Sequence, residues 1–342
     1  MRKYLYLLFV TLAFFAAFSA RAQTINPTQP NPVQYIVSPE TPGPGQSVQL
    51  EAQGIGTSLE NATLTWEQNG VVVNSGLGDN IFNFTAGILG KQSVTHLIIN
   101  SPGLGTIVHD FILSPSLVNL VWEADTTTPA FYRGKALYSG GAFVTVAAFP
   151  EISSQGVFIY SKALSFQWKL NDVLIPGQSG VGRSVFAFQG DQLKKSEDVA
   201  VDIYIGNTIV GHGEVIIPAT TPQIVLYDRD PLRGEVLDAA FPTTINLTGQ
   251  ELTVEAEPYY FSNASKSDGS LTYSWTVNGS NTTGPDAQQG ILTLLQNGSG
   301  VGTAVLNVSA QNTNSDQLVQ AASASLQILF GQNTSNTSLF GL

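Results

Sequence analysis

The chain has 342 residues, with 14 basic and 25 acidic side chains, a formal net charge of −11, only 11% charged residues and no cysteine. Nucleic acid and anionic lipid call for clustered Lys and Arg, so neither is an expected partner. Without Cys there are no disulfides or thiolate metal sites, and each core must hold by packing, which segments of about 100 residues can do.

The chain begins Met1-Arg2-Lys3, continues as an apolar run from Tyr4 to about Ala20, and then presents Ala20-Arg21-Ala22 before the polar Gln23. Basic, apolar and A-x-A segments in that order predict a secretory signal peptide over residues 1–22. The alternative is an uncleaved anchor, since the run is a little short of the ~20 residues that span a bilayer. No Cys follows it, so a lipoprotein attachment is not expected, and no later segment has membrane-spanning length. Cleavage removes Arg2, Lys3, Arg21 and no acid, leaving 11 basic against 25 acidic side chains, a net −14. The mature chain is expected to be exported to the periplasm, cell surface or medium. Complete lack of Cys in an exported array points to a bacterial source.

The first repeat, residues 31–115, opens with Ser38-Pro-Glu-Thr-Pro-Gly-Pro-Gly45 and the alternating strand Val48-Gln-Leu50-Glu-Ala52. It then reaches Leu64-Thr-Trp66-Glu-Gln-Asn69-Gly70. With Ala62 and Leu64 before it, Trp66 falls on the inner face of a period-two strand. Asn-Gly supplies the positive φ angles of a type I′ hairpin turn. Gly76-Leu-Gly-Asp-Asn-Ile81-Phe-Asn-Phe84 follows, its glycines read as turn residues.

The second repeat, 116–220, enters through Leu120-Val-Trp122 and runs through Phe143-Val-Thr-Val-Ala-Ala-Phe-Pro150. It carries the same hairpin signature in Leu164, Phe166, Trp168, Asn171 and Asp172, then Gly180-Val-Gly-Arg-Ser-Val185-Phe-Ala-Phe188. The third, 221–330, enters through Ile224-Val-Leu226, continues with Leu252-Thr-Val-Glu-Ala-Glu-Pro258, and repeats the signature in Leu271, Tyr273, Trp275, Asn278 and Gly279. The three Trp residues lie 102 and 107 positions apart, which sets the domain period. Short alternating strands with regular turn signals, and no 3.6-residue apolar spacing beyond residue 22, predict an all-β fold of three antiparallel sandwiches. The joints near Ser114-Pro-Ser116 and Pro218-Ala-Thr-Thr-Pro222 are short and Pro-containing, which predicts an extended, semi-rigid rod.

Few constellations suggest chemistry. Glu123 and Asp125 after the first joint, and Asp228 and Asp230 after the second, are candidate Ca²⁺ ligands, since that ion takes six to eight oxygens. Plain acidic turns, with Arg229 and Arg233 nearby, are the alternative. His96, His109 and His212 sit in no metal-spacing motif, and no nucleophile elbow occurs. Glu255 and Glu257 alternate on one strand face, which reads as a solvent face. Aromatic runs at Phe131, Tyr132 and Tyr138, and at Tyr259, Tyr260 and Phe261, would stack on sugars or anchor a protein if exposed, and would pack cores or joints if not. Ten N-x-[ST] sequons, Asn61 and Asn83 among them, read as compositional. The tail 331–342 is a polar linker ending in Leu339-Phe-Gly-Leu342, read as frayed or as a docking or sorting tag.

The segments W-x-x-N-[GD] with their flanking alternation resemble bacterial immunoglobulin-like or PKD-like surface domains, although both immunoglobulin cysteines and a W-D-F-G-D-G run are missing. That resemblance implies tandem immunoglobulin-like sandwiches with Trp66, Trp168 and Trp275 as core residues. It also implies spacing, adhesion or assembly roles toward a protein or glycan at the cell surface, without catalysis. A carbohydrate-binding surface protein using Tyr132, Tyr138, Tyr259 and Tyr260 is the rival expectation.

Overall fold

The computed structural model describes residues 31–154, 156–230, 234–262, 264–266, 269–313 and 319–331. The expected signal peptide over residues 1–22, Arg233 and the apolar end of the tail lie outside the described residues.

The first repeat forms β1 (Val33–Ser38), β2 (Ser47–Gly54), β3 (Thr63–Gln68), β4 (Val71–Leu77), β5 (Ile81–Thr85), β6 (Ser93–Ser101) and β7 (Gly105–Leu113). They make two sheets, β1-β2-β5 and β4-β3-β6-β7. Alternation turns Val48, Leu50 and Ala52 of β2 toward Leu64, Trp66, Leu97 and Ile99 of the facing sheet, and all of these are buried.

The second repeat forms β8 (Leu117–Ala124), β9 (Phe143–Glu151), β10 (Ser153–Ser154), β11 (Val157–Phe158), β12 (Ser165–Leu170), β13 (Val173–Leu174), β14 (Gly180–Val181), β15 (Val185–Gln189), β16 (Ser196–Ile205) and β17 (Thr208–Pro218). Its sheets are β15-β9-β8 and β13-β12-β16-β17, with β14 also on β12 and β10-β11 a small separate hairpin. The third repeat forms β18 (Gln223–Asp230), β19 (Gly234–Ala240), β20 (Thr244–Asn246), β21 (Glu251–Tyr259), β22 (Leu271–Val277), β23 (Ser280–Thr282), β24 (Ile291–Leu295), β25 (Gly302–Asn312) and β26 (Ala321–Phe330). These pair as β19-β18-β21-β24 and β20-β26-β25-β22-β23. The chain is therefore all-β, three tandem sandwiches that share a core strand order, to which the second adds β14 and the third β19 and β20.

Trp66, Trp168 and Trp275 occupy the same place in each, at most 2% exposed, opposite Leu97, Val201 and Val308 on the next strand. In a constant-type immunoglobulin domain the strand after the Trp strand's edge joins the other sheet, giving four strands there and three here. The first sandwich reverses that split, and in the other two the Trp sheet is again the larger, with five strands. Asn69-Gly70, Asn171-Asp172 and Asn278-Gly279 all have positive φ. A two-residue turn of that type returns the chain directly onto the Trp strand, so β4, β13 and β23 are held in the Trp sheet. The open flank of the second sandwich is closed by glycine: a Cβ on Gly213 of β17 would come within 2.8 Å of Val118 Cγ1 on β8.

Candidate functional site

The joints gather the polar and aromatic side chains that the cores do not use. At the first joint the linker is pinned by its backbone. Gly90 N–H donates to the Pro115 carbonyl (2.9 Å), Ser116 N–H donates to Pro42 (3.0 Å), and Ser153 Oγ donates to Gly90 (3.1 Å). Two hollows of about 320 and 370 Å³ remain between the loop carrying Glu40 and Thr41 and the β16–β17 hairpin carrying Ile209. Asp202 borders the larger hollow and takes Lys169 Nζ and His212 Nδ1, each at 2.7 Å. Burial would raise its pKa, but the bonds from Lys169 and His212 hold it below the usual carboxylate range.

The second joint is closer. The connection between β8 and β9 is 18 residues long, and its first part crosses onto the third sandwich. Thr127 N–H donates to the Phe261 carbonyl (2.9 Å) and Tyr260 N–H donates to Thr127 (2.6 Å), with Thr126 bridged to Ser262. This is a short antiparallel pairing between domains. Around it, Phe131 meets Tyr227 edge-on at 5.4 Å and Tyr132 meets Tyr259 edge-on at 5.5 Å. The hydroxyls of Tyr132 and Tyr260 lie 2.9 Å apart, those of Tyr227 and Tyr259 3.0 Å. On the far side Gln320 Nε2 donates to the Gly140 carbonyl (3.0 Å), while its Oε1 accepts Ser262 N–H (2.8 Å). Tyr260 holds φ +62°, a left-handed conformation that is rare for a bulky side chain. Burial and the hydroxyl of Tyr132 push its phenol up to about 12.

Beneath this contact, Glu255 and Glu257 are 1% and 5% exposed. The expected solvent face is corrected: Lys266, in the connection after β21, lies over the outer side of the strand and pairs with both. Lys266 Nζ lies 2.5 Å from Glu255 and also bonds Glu257, and Arg229 reaches Glu255 at 2.6 Å. Burial would raise Glu255, but Lys266 and Arg229 hold it below the ordinary carboxylate range. This buried ionic knot anchors the loop whose start, Tyr260 and Phe261, receives Thr127. A hollow of about 420 Å³ bordered by Phe131, Glu257 and Lys266 is left at the seam.

The aromatic candidates are thus brought together, but inward. Tyr259 and Tyr260 are each 8% exposed and lie in the joint. Tyr138 is fully buried, its hydroxyl donating to the Asp191 carbonyl at 2.8 Å. Tyr132 is half-buried between the domains. None of the three buried rings offers a face to a sugar, and the exposed-platform expectation is corrected accordingly. The four acids are not brought together. Glu123 faces outward near Lys135, whose ammonium sits 3.1 Å above the Trp122 ring, while Asp228 and Asp230 ride on β18. Among the described residues no three His, Asp or Glu side chains gather to hold a metal. His96 pairs with Asp110 across β6 and β7 (2.6 Å), and His109 stacks on Tyr35 at 3.6 Å.

Sequence reasoning missed Thr127, Lys266 and Gln320. One signal was available: an 18-residue strand-to-strand connection exceeds the usual hairpin length and marks a loop with a task. Among the described residues no helix is long and apolar enough to cross a membrane.

No protein-family model and no curated protein matches the chain. Among solved structures it is similar to the three N-terminal domains of the bacteriophage RB49 highly immunogenic outer capsid protein. That likeness has 11% identity and a TM-score of 0.25, covering 87% of this chain and 97% of that one. The central fibronectin-III array of RIM-binding protein gives 12% identity and a TM-score of 0.30 over 87% and 97%. A Bacteroides ovatus SGBP-B from a mixed-linkage glucan utilization locus, in complex with a heptasaccharide, gives 9% identity and a TM-score of 0.23 over 89% and 71%.

Proposed function

We propose that the mature chain is a non-enzymatic, exported structural and interaction protein: a periplasmic or cell-surface spacer that presents its outer faces to a protein or glycan partner. The observation that carries this reading is the second joint, where backbone pairing through Thr127 and the rings of Phe131, Tyr132, Tyr227, Tyr259 and Tyr260 fix one sandwich on the next. The aromatic side chains Phe131, Tyr132, Tyr259 and Tyr260 are consumed in holding domains in order. A spacer needs such joints, because its output is distance and orientation.

Small-angle scattering of residues 23–342 tests the reading, with fractionation of cells expressing the full chain. The expected result is an extended particle, and a product lacking residues 1–22 in the exported fraction. A compact envelope, or retention in the cytoplasm, overturns it.

A further inference from the structure

The edge strand β4 of the first sandwich is unlike the corresponding edges in the other two, and we propose that it is an isologous pairing surface for a second copy of this chain. Edge strands invite pairing with other chains, and proteins blunt them by shortness, charge, cover or bulges, of which β4 has only a bulge at Val73. The equivalents β13, β14 and β23 are two or three residues long. At the opposite flank β7 carries His109 and Asp110 within its nine residues, and β17 meets Val118 of β8 at Gly213. The seven-residue edge strand β19 carries Glu235 and Asp238 in its sequence. By contrast β4 runs seven residues, hydrogen-bonds only to β3, and has no charged residue from Asn69 to Gly78. Val71, Val72, Val73 and Leu77 are 64%, 55%, 45% and 67% exposed.

The occupant is argued from charge and self-complementarity. A second copy of residues 23–342 brings a net charge of −14, so two copies approach best where neither carries an acid. Antiparallel pairing of β4 with its own copy about Asn74 sets Val71 against Leu77, Val72 against Gly76 and Val73 against Ser75, with no like charges opposed. The two four-stranded sheets then continue as one of eight, within the range of open sheets. Val73 is the extra residue of a bulge opposite Trp66 and Glu67, which increases the local twist and keeps the pairing short. A contact of this size falls in the weak, reversible class, with Kd on the order of 1–100 µM.

Sedimentation equilibrium of residues 23–342 across that range tests the proposal, using Val72→Lys at the exposed edge and Val173→Lys on β13 as control. The expected result is a reversible dimer that Val72→Lys weakens at least about tenfold and Val173→Lys leaves unchanged, with both variants melting as the parent does. Amides 71–77 are expected to exchange more slowly in the dimer. A chain that stays monomeric throughout, or a dimer indifferent to Val72→Lys, overturns the proposal.

Discussion

In each sandwich the inner-face tryptophan gives its indole N–H to a carbonyl 12 to 15 residues ahead: Trp66 to Asp79 (2.9 Å), Trp168 to Arg183 (2.8 Å) and Trp275 to Ala287 (2.9 Å). The ring therefore fills the core and also ties down the crossing to the opposite sheet. Trp168→Phe keeps most of the packing and orphans the Arg183 carbonyl, so it is expected to cost about 1–3 kcal/mol, against about 3–5 for Trp168→Ala. Urea denaturation of both variants checks the order, and a Trp168→Phe variant as stable as the parent would show that the nitrogen contributes nothing. The spacing W-x-x-N was legible in sequence, and so was the burial of the ring. The carbonyl partner was not, because a backbone acceptor leaves no side-chain signature. The motif Asn also does more than adopt positive φ. Asn69, Asn171 and Asn278 each donate their backbone N–H to the neighbouring strand, at Val94, Asp198 and Val305.

At the scale of elements, the F-x-F block shared by the first two repeats has a packing reason: Phe82 stacks on Trp66 at 5.6 Å and Phe186 on Trp168 at 5.4 Å. In the third repeat Leu292 of β24 joins the core containing Trp275, so the block is not repeated. The alternation in β21 was read correctly for its inner face and wrongly for its outer one. Period two tells which residues share a face, but cannot tell that a loop will roof the polar side. That roof rests on charge. Glu255 has a lowered pKa in the folded chain and an ordinary one, about 4.3, when unfolded. Its contribution is therefore complete above that value and is lost as pH falls through the folded value, because the unfolded state there binds the extra proton. Thermal melts should show the third sandwich insensitive to pH between about 5 and 7 and destabilised below about 4. Glu255→Gln should flatten that acid limb, and an unaltered limb in the variant would place the sensitivity elsewhere.

At the scale of the molecule the two joints are unequal, and the middle domain feels the difference. Toward the first sandwich it offers backbone and serine hydrogen bonds around Gly90, Pro115 and Ser116. Toward the third it extends a loop whose aromatic side chains are covered only when that neighbour is present. Aromatic pairs contribute about 0.5–1.5 kcal/mol each beyond their area, and Phe131 and Tyr132 supply two such contacts. Removing residues 221–342 should then lower the stability of the middle sandwich by about 1–3 kcal/mol, roughly 4–8 °C in Tm for each kcal/mol in a domain of this size. Removing residues 23–115 instead should shift it far less. Calorimetry on fragments 116–220, 116–330 and 23–220 separates these effects. Should the middle transition fall at one temperature in all three, the second joint would be a contact without coupling, and rigidity would have to come from the linkers alone. A lower transition in 116–220 and 23–220, restored in 116–330, would assign the stiffness to the loop that starts at Asp125.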